Sequence, residues 1–378
     1  MIEEKERSIR RGERMNDEFY MNHAFALAAS TEGRTWPNPM VGAVIVKEGR
    51  IVGFGAHLKA GTPHAEVHAL KMAGEEAEGG TLYVTLEPCS HYGRTPPCAD
   101  QIIAAGLKRV VVATLDPNPL VSGKGVEKMR KAGIHVEVGL GEEKGKRLNE
   151  VFFHYITKRR PFTVVKMAMT LDGKIAAHTG DSRWVSGAAA REYVHRLRNQ
   201  ADAVMVGIGT VLADDPLLTT RLPEGGKNPL RIVVDTRLRI PLTARVLDTS
   251  AAPTLIACGE GADAAKMAQL REKGAEVLPL PEREGRVDLK ELLRVLGLRE
   301  IAFLLVEGGA EMNGSLLMEG LVDKVLLFLS PKLIGGKGPT PFGGKGFPRM
   351  DEALPLTEVQ VEKVGEDWFI QGYLRRGG

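Results

Sequence analysis

Two α/β domains meeting near residue 160 are what this sequence predicts. The chain has 378 residues, more than one ordinary hydrophobic core organises and enough for two domains. Strand-like and helix-like apolar patterns alternate in both halves, the mark of layered α/β architecture. Lys158-Arg159-Arg160-Pro161 then interrupts the pattern before a fresh strand begins. The expected divisions are 1–14 as a charged terminal segment, 15–158 as the first domain and 161–378 as the second.

The opening MIEEKERSIRRGERMN lacks an apolar core, so it is no secretory signal. Residues 1–14 are expected to be a disordered tail, or an over-extended start with Met15 as initiator. Apolar residues at helical spacing predict a first helix from Phe19 to Ser30, followed by a loop at Thr35-Trp36-Pro37-Asn38-Pro39. Val41–Val46 and Ile51–Ala56, joined by a turn at Lys47–Arg50, read as a β-hairpin. Then come a helix over 63–73, a strand at Thr81–Leu86, a helix at Cys98–Ala105 and a buried strand at Val110–Leu115. A short helix (123–132), a strand (135–139) and a helix near 144–157 complete the first half. In the second half, strands are expected at 162–168, 203–206, 230–235, 253–258, 301–306 and 324–330. Helices fall at 187–199, 262–273, 288–297 and 311–319, and Val359–Leu374 reads as an antiparallel ending.

Composition restricts the function. A net charge of +3 leaves no basic footprint for nucleic acid, and 5% aromatic content offers no stacking platform. No apolar run approaches the roughly 20 residues that span a bilayer. Three cysteines are an odd number for a disulfide framework. The expectation is a cytoplasmic chain with no nucleic acid or membrane partner and with homo-oligomerisation left open.

The strongest local signal is His64-Ala65-Glu66 together with Pro88-Cys89 and Cys98. One imidazole and two thiolates supply three zinc ligands, and a catalytic site keeps its fourth position for water. Zinc lowers the pKa of such a water to about 7. Glu66 is the candidate catalytic residue, shuttling protons without binding the metal. A lone His or Cys is usually structural; here the conjunction carries the reading. His64 and His68 lie four apart, but Ala65 stands where a metalloprotease helix needs Glu, so His68 reads as a packed helix residue. Eight residues, Ser90–Pro97, separate the cysteines where the general deaminase pattern has two.

That expanded stretch reads Pro88-Cys89-Ser90-His91-Tyr92-Gly93-Arg94-Thr95-Pro96-Pro97-Cys98. With Pro37-Asn38-Pro39-Met40-Val41-Gly42-Ala43 and Gly55-Ala56-His57, it resembles the bifunctional riboflavin-biosynthesis pyrimidine deaminase/reductase family, RibD or RibG. The resemblance implies a cytidine-deaminase-like α/β/α first domain in which Asn38, His57, His91 and Arg94 contact substrate, Arg94 taking its phosphate. An arginine between a glycine and a proline-rich turn suits an anion clamp; an exposed loop cation is the plainer alternative.

In the second half, Glu307-Gly308-Gly309 follows a strand and precedes a helix, a turn able to offer backbone N–H groups to a pyrophosphate. Gly207-Ile208-Gly209-Thr210 is a second glycine turn, without the third glycine of a dinucleotide fingerprint and with Asp214-Asp215-Pro216 breaking the helix after it. The family resemblance extends here through Lys166–Lys174, Asp181–Gly187, Gly207–Pro216, Val234-Asp235-Thr236 and Val306–Gly309. It implies a dihydrofolate-reductase-like domain binding NADPH through Ala168, Trp184, Thr210, Asp214, Thr236, Gly309, Ala310, Glu311, Met312, Asn313, Gly314 and Ser315. It likewise implies that Ser182, Arg198, Leu218, Arg221 and Glu307 hold a phosphoribosyl substrate. Arg198 and Arg221 suit phosphate because a guanidinium fork matches its oxygens. Trp184 is otherwise a core aromatic, Asp172 and Asp181 turn or cap residues, and Cys258 a buried strand residue.

The implied activity is deamination of 2,5-diamino-6-(5-phosphoribosylamino)pyrimidin-4-one, then NADPH-dependent reduction of 5-amino-6-(5-phosphoribosylamino)uracil to its ribityl form. Two other readings stay open. One is a nucleoside or tRNA zinc deaminase with an unrelated second domain, against which the Ser90–Pro97 insertion stands. The other is a non-enzymatic module with structural zinc, which would have no use for Glu66.

Overall fold

The computed structural model describes residues 2–91, 96–118 and 121–374, with side chains from residue 16 onward. It divides into two compact units, Met1–Lys158 and Arg159–Gly378.

The first unit runs α1 (Ile2–Ala29), β1 (Gly42–Lys47), β2 (Arg50–Ala56), α2 (Ala65–Ala73), β3 (Thr81–Val84), α3 (Cys98–Ala104), β4 (Arg109–Val112), α4 (Lys124–Lys131), β5 (His135–Val138), α5 (Glu142–Leu148) and α6 (Glu150–Lys158). Its five strands lie in the order β2-β1-β3-β4-β5, antiparallel at the β2-β1-β3 side and parallel from β3 to β5. Strand side chains alternate between faces. Ala43, Ile45, Leu82, Val84, Val110 and Val112 pack with α2, α3 and α4, whereas Val44, Val46, Tyr83 and Val111 pack with Met21, Ala24 and Phe25 of α1. Gly53 and Gly55 of β2 let α2 lie directly on the sheet: a Cβ at either would collide with the helix backbone at Ala69 or Ala65.

Two expectations are corrected here. Helix α1 begins at Ile2, which corrects the disordered-tail alternative for 1–14 and does not bear on the other, an over-extended start at Met15. The Glu, Lys and Arg residues of that stretch, which argued against a secretory signal, are also good helix formers. The single helix near 144–157 is two helices, because Asn149 leaves the helical path to bond the backbone of Met40 on both sides, accepting from its N–H (2.8 Å) and donating to its carbonyl (2.9 Å). Asp17 fastens α1 to the sheet, accepting two hydrogen bonds from the Arg109 guanidinium and one from the Tyr83 hydroxyl. Burial would raise its pKa, but these donors outweigh it and the net shift is downward.

The second unit runs β6 (Phe162–Thr170), α7 (Ala188–Gln200), β7 (Ala203–Gly207), α8 (Ile208–Asp214), β8 (Leu230–Val234), β9 (Thr254–Gly259), α9 (Ala264–Glu272), β10 (Glu276–Leu280), β11 (Glu282–Arg283), β12 (Arg286–Val287), α10 (Leu289–Leu298), β13 (Phe303–Val306), α11 (Ala310–Met318), β14 (Lys324–Ser330), β15 (Leu356–Val364) and β16 (Asp367–Leu374). Nine of these strands form one sheet, ordered β10-β9-β8-β7-β13-β6-β14-β16-β15. It is parallel from β10 to β14 and closes with an antiparallel hairpin. The central strands are buried on both faces, hence their continuous Val/Ile/Leu runs. Asp263 and Asp288 cap α9 and α10 by accepting N–H groups of the first turns. The short helix α8 is followed by Asp215, which adopts a left-handed φ of 43° before Pro216. Strand β10 is absent from the sequence expectation; it carries Pro279, which an edge strand tolerates. Among the described residues, no helix is long and apolar enough to cross a membrane.

Candidate metal centre and ligand pocket

His64 precedes the first turn of α2, Cys98 opens α3, and Cys89 lies on the turn leaving β3. These three segments converge. The nearest nitrogen of His64, Nδ1, is 3.2 Å from Cys98 Sγ and 3.7 Å from Cys89 Sγ, and all three ligand atoms lie within 4.8 Å of one another. Tetrahedral zinc with bonds of about 2.0–2.3 Å sets its ligand atoms roughly 3.5–3.8 Å apart, so the donor set fits.

Electrostatics point the same way. Hydrogen bonds from Cys98 and His64 lower the Cys89 pKa to about 4, against the opposing effect of burial. The Cys98 thiol is pushed up by Cys89 and by burial, while the hydrogen bond to Cys89 raises His64. Thiolate charge thus gathers beside an imidazole, a situation that a divalent cation relieves.

Glu66 sits in the first turn of α2, 3% exposed, and its Oε2 has no hydrogen-bond partner. Burial raises its pKa. Beside the His64 ring, His57 donates from Nδ1 to the Pro63 carbonyl (3.2 Å), and Asn38 donates from Nδ2 to His57 Nε2 (3.0 Å). Burial lowers the His57 pKa, which suits this neutral tautomer. His91 is exposed, and Arg94 lies outside the described residues. Sequence reasoning missed Asp116, a buried carboxyl whose pKa is pushed to about 6, chiefly by burial and then by Glu87, against the lowering effect of the Asn118 N–H. Its Asp-Pro-Asn turn after β4 is the signal that could have found it.

The second unit holds a pocket of about 590 Å³, within the range of small-molecule sites. It opens where β6, β7 and β13 end, at the carboxyl edge where parallel α/β sheets present ligand sites. Ala168, Trp184, Thr210, Asp214 and Gly309 to Asn313 line it, as do Ser182, Arg198, Leu218, Arg221 and Glu307. Thr236, Gly314 and Ser315 are not among its lining residues. The Thr236 hydroxyl accepts the Val287 N–H, and Gly314 packs so closely on the Gly343 backbone that a Cβ would collide there. Trp184 is no core aromatic: it is 64% exposed, with the Arg191 guanidinium 4.6 Å above its ring. Cys258 is buried on β9 and His68 is partly buried on α2, while Asp172 accepts N–H groups from Ile334 and Gly335 in a turn.

The two arginines are not equivalent. Arg198, 9% exposed, donates from Nε and Nη2 to the Glu307 carboxylate (2.6 and 2.9 Å) and from Nη1 to the Thr219 carbonyl. Its fork is occupied by protein. Burial would raise the Glu307 pKa, but Arg198 and Lys166 hold it at about 2. Arg221 has no carboxylate partner among the described residues; its Nη1 donates to the Thr219 hydroxyl. Lys166 and His195 also line the pocket and were not singled out. His195 lies one helical turn before Arg198 on α7, a spacing that places both on one face.

Comparisons with known proteins agree with this two-part arrangement. Residues 14–114 match the cytidine and deoxycytidylate deaminase zinc-binding region, and residues 161–370 match the RibD C-terminal domain. Riboflavin biosynthesis protein RibD of Aquifex aeolicus is 51% identical over 354 residues, covering 94% of this chain and 97% of that protein. The structure of Acinetobacter baumannii RibD superposes with a TM-score of 0.85 at 38% identity, covering 96% of this chain and all of the other. A Thermotoga maritima diaminohydroxyphosphoribosylaminopyrimidine deaminase/5-amino-6-(5-phosphoribosylamino)uracil reductase gives a TM-score of 0.84 at 40% identity, with the same coverage. The second domain is therefore not unrelated to the first domain's chemistry, and the chain belongs to the RibD family of riboflavin biosynthesis proteins.

Proposed function

We propose that this chain catalyses two successive steps of riboflavin synthesis. The first releases the 2-amino group of 2,5-diamino-6-(5-phosphoribosylamino)pyrimidin-4-one as ammonia. The second reduces the ribosyl unit of 5-amino-6-(5-phosphoribosylamino)uracil to ribityl with NADPH. The observation that carries this reading is a three-donor cluster, His64, Cys89 and Cys98, beside a buried carboxylate with a free oxygen, Glu66.

His64, Cys89 and Cys98 would hold zinc and leave its fourth position open. Bound there, zinc would supply hydroxide at neutral pH by lowering the pKa of a water to about 7. Glu66 is not needed as a ligand, so it is free to take a proton and return it to the departing ammonia. Asn38, His57, His91 and Arg94 are assigned to the substrate, with the His57 ring keeping the Asn38 amide oriented.

In the second unit, NADPH would supply hydride. Ala168, Trp184, Thr210, Asp214 and Gly309 to Asn313 are assigned to the cofactor, and Ser182, Leu218 and Arg221 to the sugar phosphate. Arg198 acts indirectly, fixing the Glu307 carboxylate at the pocket wall. The phosphate therefore falls to Arg221. Arg221→Ala is expected to raise KM for the deaminated substrate roughly 10- to 150-fold, since hydrogen bonds to charged groups contribute about 1.5–3 kcal/mol. KM for NADPH should stay within about twofold. Steady-state kinetics with each substrate varied would check this, and an unchanged KM for the phosphorylated substrate would place the phosphate elsewhere.

The reading as a whole is tested by following ammonia release and NADPH oxidation together on the purified full chain, with and without a zinc chelator. Chelation should stop ammonia release while reduction of supplied deaminated substrate continues. No ammonia from zinc-loaded protein would refute the proposal.

A further inference from the structure

We infer that Glu87 is a positioning residue for the metal ligand Cys89, acting through the Pro88 peptide; this rests on the metal-centre reading above. Glu87 is 4% exposed and two residues before Cys89. No cation pairs with it among the described residues. Four backbone N–H groups surround it instead. Oε1 accepts from Gly125 (2.9 Å) and Val126 (3.2 Å), and Oε2 accepts from Gly123 (2.9 Å) and Asp116 (3.3 Å). Three of these donors belong to the start of α4, where unpaired N–H groups and the helix dipole favour a carboxylate.

A second observation fixes the same peptide from another side. Gly125, inside α4, lies so close to the Pro88 carbonyl oxygen that a Cβ there would collide with it. Glycine within a helix costs about 0.5–1 kcal/mol relative to alanine, so close approach is the physical reason for it. Beyond Pro88, the Cys89 carbonyl accepts the Ala99 N–H (3.1 Å) and its sulfur accepts the Cys98 N–H (3.4 Å). Cys89 is thus held between the starts of α3 and α4. Glu87 and Gly125 supply the α4 half of that grip.

An amide cannot replace this carboxylate. Both oxygens accept two donors each, so either orientation of a glutamine would set its NH₂ against two N–H groups. The turn must then shift, and Cys89 with it. Gly125→Ala displaces the same peptide by sterics alone and would otherwise favour the helix.

The test uses full-length wild type, Glu87→Gln and Gly125→Ala. It measures zinc release to excess chelator, and the thiolate-to-metal absorption after cobalt replaces zinc. Both variants should release zinc roughly 10- to 100-fold faster, the usual loss when a ligand's supporting partner is removed. Their cobalt–thiolate band should shift or weaken, while reduction of supplied deaminated substrate stays at the wild-type rate. Should Glu87→Gln fail to fold, Gly125→Ala decides: wild-type zinc release with an unchanged cobalt spectrum would overturn the inference. Absence of zinc from the wild type would instead refute the metal-centre reading.

Discussion

Glu66→Gln is expected to keep its zinc and lose ammonia release by about two to four orders of magnitude, the usual contribution of a positioned general acid–base group. Glutamine has almost the same shape, so the first turn of α2 keeps its packing. The proposed metal donors, His64, Cys89 and Cys98, are untouched. What disappears is a group able to accept a proton and give it back. Burial already raises the Glu66 pKa, which brings it closer to that reversible role than an exposed carboxylate would be. Metal analysis and an ammonia assay on the same preparation check both halves of the expectation. Ammonia release within tenfold of wild type would remove Glu66 from the chemistry; loss of zinc would make it a ligand instead.

Cys89→Ser should abolish deamination by a different route. A serine hydroxyl is not ionised at neutral pH, so one of three donors is lost. Structural zinc binding of about 10–16 kcal/mol shared among four ligands is roughly 3 kcal/mol per donor, or about two orders of magnitude in Kd. Zinc should leave on dialysis, and ammonia release with it. The second unit has its own core and its own pocket, so reduction of supplied deaminated substrate should continue at the wild-type rate. Metal content and NADPH oxidation measured side by side would check this, and loss of both activities would show that the two units depend on each other to fold.

Much of this was legible in the residues because the physics involved is local. The β1–β2 hairpin, the parallel strands of both units and the α3 start at Cys98 follow from apolar period and from proline placement. The His64, Cys89 and Cys98 cluster stood out because its residue types are rare and their spacing unusual. What could not be read depends on partners distant in sequence. Asn149 breaks a helix because of Met40, 109 positions earlier. The pairing of Arg198 with Glu307, also 109 positions away, is likewise invisible in the sequence. Trp184, which without the family resemblance would read as core, is exposed once the sheet is assembled. Gly314 follows the glycine turn that feeds α11, yet its near neighbour is the backbone at Gly343.

The bare track that Gly53 and Gly55 leave on β2 bears on how this protein tolerates change. His64 and Glu66 ride on the same end of α2, so a shift of that helix carries imidazole and carboxylate along as one piece. Their mutual spacing is insulated from drift in the sheet beneath. The sulfurs, borne on other segments, have no such protection. Substitutions that crowd β2 should therefore move the imidazole and the acid together, relative to the two sulfurs.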